Sequence, residues 1–430
     1  MAQTTNDVEP SVLIIGAGTF GTSTALHLSK TYRDPSRITI VDRWAPDDSH
    51  DKRVAAAIDS SRIIHTHYAN EAYRKTVQEV MHTWSWTMGY LGHFQQTGLV
   101  VYDDRNTDKK CENPEEWWGV GVRGLEELGL ETRGKQGEYD SKAGWVDAAS
   151  ATASFMRFAE SRGVRRVTGE AEELVLNAER CNIEGVRLIT GEVLKADKIV
   201  LAAGAWTTVL LAPVEHVLQT QEVGSIAQQI TAVGRISAYY HLSEEATRKL
   251  VDAKTPIVVI PGVVEIIPPS LQNRTLKIND LRTEVVNTIT TSSGRKISVP
   301  SARKQYEVPE DLQRKSEYVI RTALPGFLHD RRPDRWRMCH DAVTPTGDWI
   351  MCQYPDKRVG NLYVAVGGSF HSYKFLPIAG KYVVNILDGA SNGAEKDESW
   401  GWKSAECIAK ERREVREFEG GKQVERKSRL

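Results

Sequence analysis

Apolar positions along this chain follow two patterns, and the change between them divides it. Near the N-terminus the unbroken run Ser11-Val12-Leu13-Ile14-Ile15 meets Gly16-Ala17-Gly18-Thr19-Phe20-Gly21, then Thr22-Ser23-Thr24-Ala25-Leu26-His27-Leu28. Unbroken apolar runs belong to strands buried on both faces, so this reads as a strand, a tight turn and a helix. A second run, Ile38-Thr39-Ile40-Val41, ends in Asp42. A third, Lys198-Ile199-Val200-Leu201 in residues 196–206, ends in a glycine turn at Gly204 and returns to the same sheet. A fourth, Leu362-Tyr363-Val364-Ala365-Val366, precedes Gly367-Gly368 and a helix through about 387. From about 215 to 330 the runs become short and alternating, at 225–230, 257–260, 263–267 and Leu276-Lys277-Ile278, which predicts an antiparallel sheet.

Between these landmarks the spacing predicts helices at 71–90, 115–133, 149–161 and 310–324, and strands at 97–102, 164–169, 173–176 and 183–188. The segment 336–381 is expected to return to the first domain. The expected architecture is a mixed α/β fold. A Rossmann-type dinucleotide domain comprises 11–80, 145–212 and 332–390, and a discontinuous antiparallel-sheet substrate domain comprises 81–144 and 213–331. Residues 391–430 form a charged tail, with 411–419 a solvated helix or arm.

Composition narrows the function. A chain of 430 residues can bury a sizeable core, and a formal net charge of −1 gives no broad field toward nucleic acid or an anionic membrane. The five cysteines are scattered without a CxxC pair, which argues against a disulfide framework and against a metal site. The polar start lacks the apolar core of a signal peptide, and the longest apolar stretch, 256–269, is broken by Pro261, Gly262 and Glu265. A soluble intracellular monomer is expected.

The glycine spacing carries the first chemistry. Gly16 makes the turn, Gly18 lets backbone N–H groups approach a pyrophosphate, and Gly21 lets helix and strand pack closely. Thr19 and Phe20 belong to the same turn, and Asp42, 21 residues past Gly21, is placed to accept from ribose hydroxyls. An adenine dinucleotide follows.

Beyond the turn, Ala-Gly-Trp at 143–145, Ala-Ala-Gly-Ala-Trp at 202–206 and Phe-Leu-Pro after Lys374 accompany it. Together these segments resemble the fungal fructosyl amino acid oxidases and their kin, monomeric sarcosine oxidase and the saccharopine and pipecolate oxidases. The resemblance spans about 11–403 and is weakest at 105–135 and 215–300. It implies FAD, held also by Arg43, Ser61, Arg62, Val167, Gly204, Gly368, Phe370 and His371. Cys339-His340-Asp341-Ala342-Val343-Thr344-Pro345 resembles the segment to which that family ties FAD covalently. By composition alone Cys339 is a small inert buried thiol. Lys277 reads from its alternating stretch as a lysine on the solvent face of a strand. The resemblance implies instead a cation beside the flavin that stabilises charge developing on O2.

The resemblance further implies that Lys374 binds the substrate carboxylate and also contacts the cofactor, with His65, Tyr373 and Lys403 completing the substrate set. By pattern alone Lys374 is a solvated helix lysine. His65 stands where relatives carry a second arginine, and Lys403 where they carry Trp-Arg; a point charge replaces a bidentate fork. The implied activity is oxidation of N-substituted amino acids, such as N-methyl amino acids, with hydride transfer to FAD and O2 as acceptor. Fructosyl amino acid, saccharopine or pipecolate oxidation and a ring-closing biosynthetic oxidation stay open. So do, from other classes, a nucleotide-binding regulatory protein and an NAD-dependent dehydrogenase. The ending Ser428-Arg429-Leu430 is a variant of the Ser-Lys-Leu address read by the peroxisomal import receptor, which places the protein in the peroxisome.

Overall fold

The four unbroken apolar runs lie side by side. In the computed structural model, which describes residues 8–45, 54–68, 70–103, 122–130 and 136–411, the first sheet runs in the order Ile350–Gln353, Leu362–Val366, Lys198–Leu201, Val12–Ile15, Ile38–Asp42, Arg165–Thr168. All its pairings are parallel except the edge hairpin of Ile350–Gln353 with Leu362–Val366. Both faces are buried, as the runs require. Val12 and Ile14 join one core with the helices Thr19–Thr31, Ala148–Glu160 and Ala379–Leu387. Leu13 and Ile15 join a second core, under the helix Thr207–Val217 and a three-stranded antiparallel sheet of Ala171–Leu176, Ile183–Leu188 and Val193–Lys195. Helix packing in the first core is close: a Cβ on Gly380 would lie 2.1 Å from the Ser23 carbonyl oxygen.

The second sheet follows the order Arg335–Val343, Thr231–His241, Thr275–Thr290, Val264–Ile267, Ile257–Ile260, Leu99–Asp103, Gln136–Asp140. It is antiparallel except where Ile257–Ile260 meets Leu99–Asp103. Directly opposed residues share a face, so its pairings define rows across the sheet. Val100, Val258, Ile266, Ile278, Ala238 and Trp336 form one row, which packs with Val319 and Ile320 of the helix Glu310–Ala323. The rows on either side point the opposite way. One carries Leu99, Ile257, Ile267, Lys277, Tyr239 and Arg335; the other carries Val101, Val259, Glu265, Asn279, Ser237 and Arg337. That second face is half apolar and half charged, and it looks toward the first domain.

A small antiparallel sheet, Arg62–Ile64, Gly144–Val146 and Phe94–Gln95, stands between the two. Ile64, Val146 and Phe94 pack into the first core. Ile63 and Trp145 turn to Leu99, Ile257, Val259 and Ile267 of the second sheet.

Three expectations change. Residues 225–230 form the one-turn helix Ile226–Gln229, with Ile226 and Ile230 both buried; Ile at i and i+4 satisfies a helix as well as an alternating strand. The chain returns to the first sheet only at Ile350, because Arg335–Val343 pairs with Thr231–His241 in the second. The helix at 71–90 is α-helical over Glu71–His82 and continues as a π-turn, Thr83–Met88. Of the segment 115–133, the described part holds the helix Val122–Glu127. Cys111, the arm at 412–419 and Ser428-Arg429-Leu430 lie outside the described residues. Among the described residues no helix is long and apolar enough to cross a membrane, and no cluster of metal-ligating side chains forms.

Candidate active site

The glycine turn is built as its spacing requires. Gly16 has φ +104°, and a Cβ there would lie 2.5 Å from the Ala202 carbonyl oxygen; a Cβ on Gly21 would lie 1.8 Å from that of Gly16. Gly18 is different: nothing lies within 4 Å of where its Cβ would be. The helix Thr19–Thr31 starts there without a side-chain cap and without an acid in its first turn, leaving its leading N–H groups toward open space. Asp42 lies beside them and accepts from the Ala17 N–H at 2.6 Å. Burial raises its carboxyl, against the Ala17 and Trp44 hydrogen bonds. Arg43 lies over the rings of Trp44 and Trp206, 4.9 and 4.4 Å from their centroids. Val167 is opposite Val41 in the sheet, and Gly204 begins the turn into Thr207–Val217 with φ +52°. Phe20 points away, into the core against Trp349.

Lys277 is not on a solvent face. It is 1% exposed, on the charged half of the second sheet, and its Nζ donates to Asp59 Oδ2 at 2.7 Å and to the Ser61 carbonyl at 3.1 Å. Asp59 is the hub. The same Oδ2 pairs with Arg337 at 2.7 Å and Arg62 at 3.0 Å, while Oδ1 accepts from the Tyr239 hydroxyl at 2.8 Å. Burial alone would raise the Asp59 carboxyl, but Arg337, Lys277 and Arg62 hold it far below the usual range. Burial lowers the Lys277 ammonium to about 8 against the pull of Asp59. One carboxylate thus gathers three cations, a net positive region in which only Arg62 is partly exposed. Arg62 also donates from Nη2 to the buried Cys339 sulfur at 3.1 Å.

A second cluster forms around Lys374, which is buried rather than solvated. Its Nζ meets His65 Nε2 at 2.5 Å and donates to the Tyr68 hydroxyl at 2.9 Å. His371 Nε2 faces the Gly347 carbonyl at 2.9 Å, so that nitrogen carries the proton and Nδ1 accepts from Tyr68 at 3.2 Å. Burial lowers Lys374 to about 7, with Glu265 and then Asp140 opposing. Burial and then Lys374 hold His65 well below its ordinary value, and burial brings His371 to about 4. Both rings are neutral at pH 7, and the cluster's positive charge is that of Lys374 alone.

The segment 367–370 wraps onto Asp341 and Ala342. Gly367, Ser369 and Phe370 have φ +85°, +46° and +63°, and the Phe370 N–H donates to Asp341 Oδ2 at 2.8 Å. A Cβ on Gly368 would lie 2.8 Å from both Asp341 oxygens. Two residues of the expected substrate set stand elsewhere. The Tyr373 hydroxyl donates to the Ala148 carbonyl at 2.7 Å, and Lys403 Nζ donates to the Ser399 carbonyl. Asp59, Arg337 and Tyr68 were not singled out from sequence, and Tyr239 only as an aromatic of a pocket or core; a buried acid beside so many bases appears only once the loop and the second sheet are brought together.

The open turn, the buried Ser61 Oγ with no partner among the described residues and the free Cys339 thiol fit a bound dinucleotide that runs from the turn to Cys339. Residues 11–386 match the family model described as FAD dependent oxidoreductase (DAO). The chain is similar to L-saccharopine oxidase of Schizosaccharomyces pombe, 24% identical over 91% of this chain and 93% of that one. It is 25% identical to amino acid oxidase imqH of Aspergillus flavus, over 89% and 94% of the two chains. Among solved structures it resembles the fructosamine oxidase amadoriase II of Aspergillus fumigatus, with a TM-score of 0.75 and 22% identity over 94% of this chain and 91% of that one. At such identity the structural likeness speaks for the fold.

Proposed function

Because this chain belongs to the FAD dependent oxidoreductase (DAO) family, we propose that it oxidises N-substituted amino acids, such as N-methyl amino acids, to imines and forms hydrogen peroxide. The observation that carries this reading is the buried Lys374 ammonium with neutral His65 and Tyr68 around it. Burying a lone cation is costly, and an anionic ligand offsets that cost. A carboxylate on Lys374 is such a ligand.

Gly16, Gly18, Thr19 and Gly21 would hold the pyrophosphate of FAD and Asp42 its ribose. Arg43, Val167 and Gly204 would flank the adenosine end. Ser61, Arg62, Gly368, Phe370 and His371 would border the ring system, and Cys339 would attach it through a thioether. When bound, FAD supplies the acceptor for hydride and returns the electron pair to O2. The residues do the rest. Lys374 fixes the carboxylate and so the orientation of the adjacent C–H bond. The low-dielectric surroundings and neighbouring cations favour the neutral amine, whose lone pair hydride loss requires. Lys277, held by Asp59, places a positive charge where O2 takes up negative charge. Water then hydrolyses the imine. A peroxide-forming reaction accords with a peroxisomal address at Ser428-Arg429-Leu430. Two buried lysines on defined partners favour catalysis over a nucleotide-binding regulatory role.

The test is anaerobic addition of N-methyl amino acids, saccharopine, pipecolate and fructosyl amino acids, followed by air. Bleaching of flavin absorbance by an N-methyl amino acid and peroxide on reoxidation are expected. Bleaching by none of the four classes overturns the reading, and bleaching only by a fructosyl amino acid, saccharopine or pipecolate replaces its substrate.

A further inference from the structure

The small sheet and the apolar half of the second sheet face each other across Ile63, Trp145, Val259 and Ile267. On the small-sheet side the buried Trp145 Nε1 lacks any partner among the described residues, and His65 Nδ1 has only a loose contact with the His67 backbone. Trp145 is directly opposite Ile63 and shares its face, and His65 follows directly after the end of that strand. While His65 Nε2 accepts from the Lys374 ammonium, its proton is on Nδ1. This wall therefore carries the unpartnered Trp145 N–H, and the strand opposite it leads into His65 and the Lys374 cation. An orphaned buried donor is costly, and beside a buried cation it marks a place made for a ligand oxygen.

The opposite wall carries Glu265. It is in register with Val259 on one side and Asn279 on the other, in the row that faces Trp145. Its Oε2 accepts from Asn279 Nδ2 at 2.8 Å, and Asn279 Oδ1 in turn accepts from the Ser237 hydroxyl at 2.7 Å. That chain fixes the carboxylate, and Oε1 is left without a hydrogen bond among the described residues. Glu265 is also the first carboxylate whose field reaches Lys374, although no ion pair joins them. The two walls thus present a fixed cation with neutral donors and, across from them, a fixed anion.

We propose that Glu265 Oε1 receives an alkylammonium group of the substrate while Lys374, His65 and Trp145 hold its carboxylate, so that the protein selects zwitterions over simple carboxylic acids. This rests on the oxidase reading above. The ammonium is either a second amine further along the side chain or the amine that is oxidised, which then binds charged and gives its proton to Glu265 before hydride leaves. Glu265 has a plain structural alternative, a strand residue pairing with Asn279, and the glutamine variant preserves that pairing. Removing the charge and nothing else is therefore the informative change.

The experiment compares the holoenzyme with E265Q in three titrations. Propionate, which has only the carboxylate, is followed by its perturbation of the bound flavin spectrum. N-methylglycine carries one amine, and Nα-methyl-lysine carries two; flavin reduction is followed with each. Propionate is expected to bind both proteins alike. The variant's affinity for the amines is expected to fall by about tenfold to a hundredfold, the worth of a charged hydrogen bond. A loss with both amines assigns Glu265 to the reacting nitrogen, and a loss with Nα-methyl-lysine alone assigns it to the distal one. Equal behaviour of the two proteins toward both amines overturns the proposal, as does equal weakening of propionate, which would mean a collapsed site. If the wild-type protein is reduced by neither amine, the N-methyl substrate fails separately; binding of trimethylglycine relative to propionate then still reads the charge on Glu265.

Discussion

Lys374 Nζ lies 2.5 Å from His65 Nε2 in a region closed to water, so one of the two basic groups must give up its charge. His65 yields first: burial and the neighbouring lysine both push it below its ordinary value, whereas Lys374 is brought only to about 7. Carboxylate binding then depends on a proton that is lost near neutrality. Propionate affinity is predicted to be constant below about pH 7 and to weaken about tenfold per pH unit above it. K374M is predicted to bind weakly with no such slope. Spectral titration from pH 6 to 9 checks this, and a flat wild-type profile would sink it. The same shift acts on stability. The unfolded chain keeps this proton up to the ordinary 10.5 while the folded one loses it near 7, so the lysine's cost to the fold is full below 7 and is relieved as pH rises toward 10.5.

The glycine turn was legible in the sequence because each of its constraints is local. So was the segment at Cys339, through its resemblance. The two lysines were legible as positions but not as environments. Lys277 belongs to an alternating strand, and alternation alone cannot say which face is wet when a second domain covers one of them. Asp59 is a lone acid in an unremarkable loop; Arg337, its partner at 2.7 Å, comes from a strand 278 residues later. Glu265 interrupts an apolar stretch and was read only as a reason against a membrane span. Its meaning depends on register, which sets it opposite Asn279.

Gly18 and Gly21 separate ligand from fold. An alanine at Gly21 would set its Cβ 1.8 Å from a backbone oxygen, so strand and helix must part. An alanine at Gly18 meets nothing within 4 Å, and the φ of −80° there suits any residue. G21A is predicted to express poorly or unfold at lower urea. G18A is predicted to fold like the parent yet bind FAD weakly, because the added methyl fills the approach to the helix N-terminus. Circular dichroism and flavin content decide; a fully flavinylated G18A would contradict the placement of the pyrophosphate.

Asp59→Asn replaces the shared counter-charge of Lys277, Arg337 and Arg62 with a neutral amide of the same shape. Breaking a buried pair in this way costs about 3–5 kcal/mol. D59N is predicted to lose stability on that scale in urea unfolding. It should also slow reoxidation of the reduced protein by O2 more than it slows anaerobic reduction, because Lys277 loses both its position and part of its charge. A stability change within about 0.5 kcal/mol, the range of an ordinary surface substitution, would show that the cluster is not the anchor described here.

Cys339 is buried, unpaired and 3.1 Å from a guanidinium nitrogen of Arg62. Through this contact the sulfur joins the cluster of cations gathered by Asp59. The other described cysteines have different surroundings: Cys181 is exposed, and burial pushes Cys352 up to about 12. If the cofactor is tied to the chain, Cys339 is therefore the site the chemistry favours. The denatured wild-type protein is predicted to carry an added FAD mass, mapped to the peptide containing Cys339, and to remain yellow after acid precipitation. C339S is predicted to keep its fold and to release all its flavin into the supernatant. Its reduction by amine should also be slower, since a thioether raises the potential of the ring it holds. Flavin mass on another cysteine would move the attachment. A wild-type chain without flavin mass but with a yellow supernatant would leave FAD as a dissociable cofactor and Cys339 as a buried thiol in contact with Arg62.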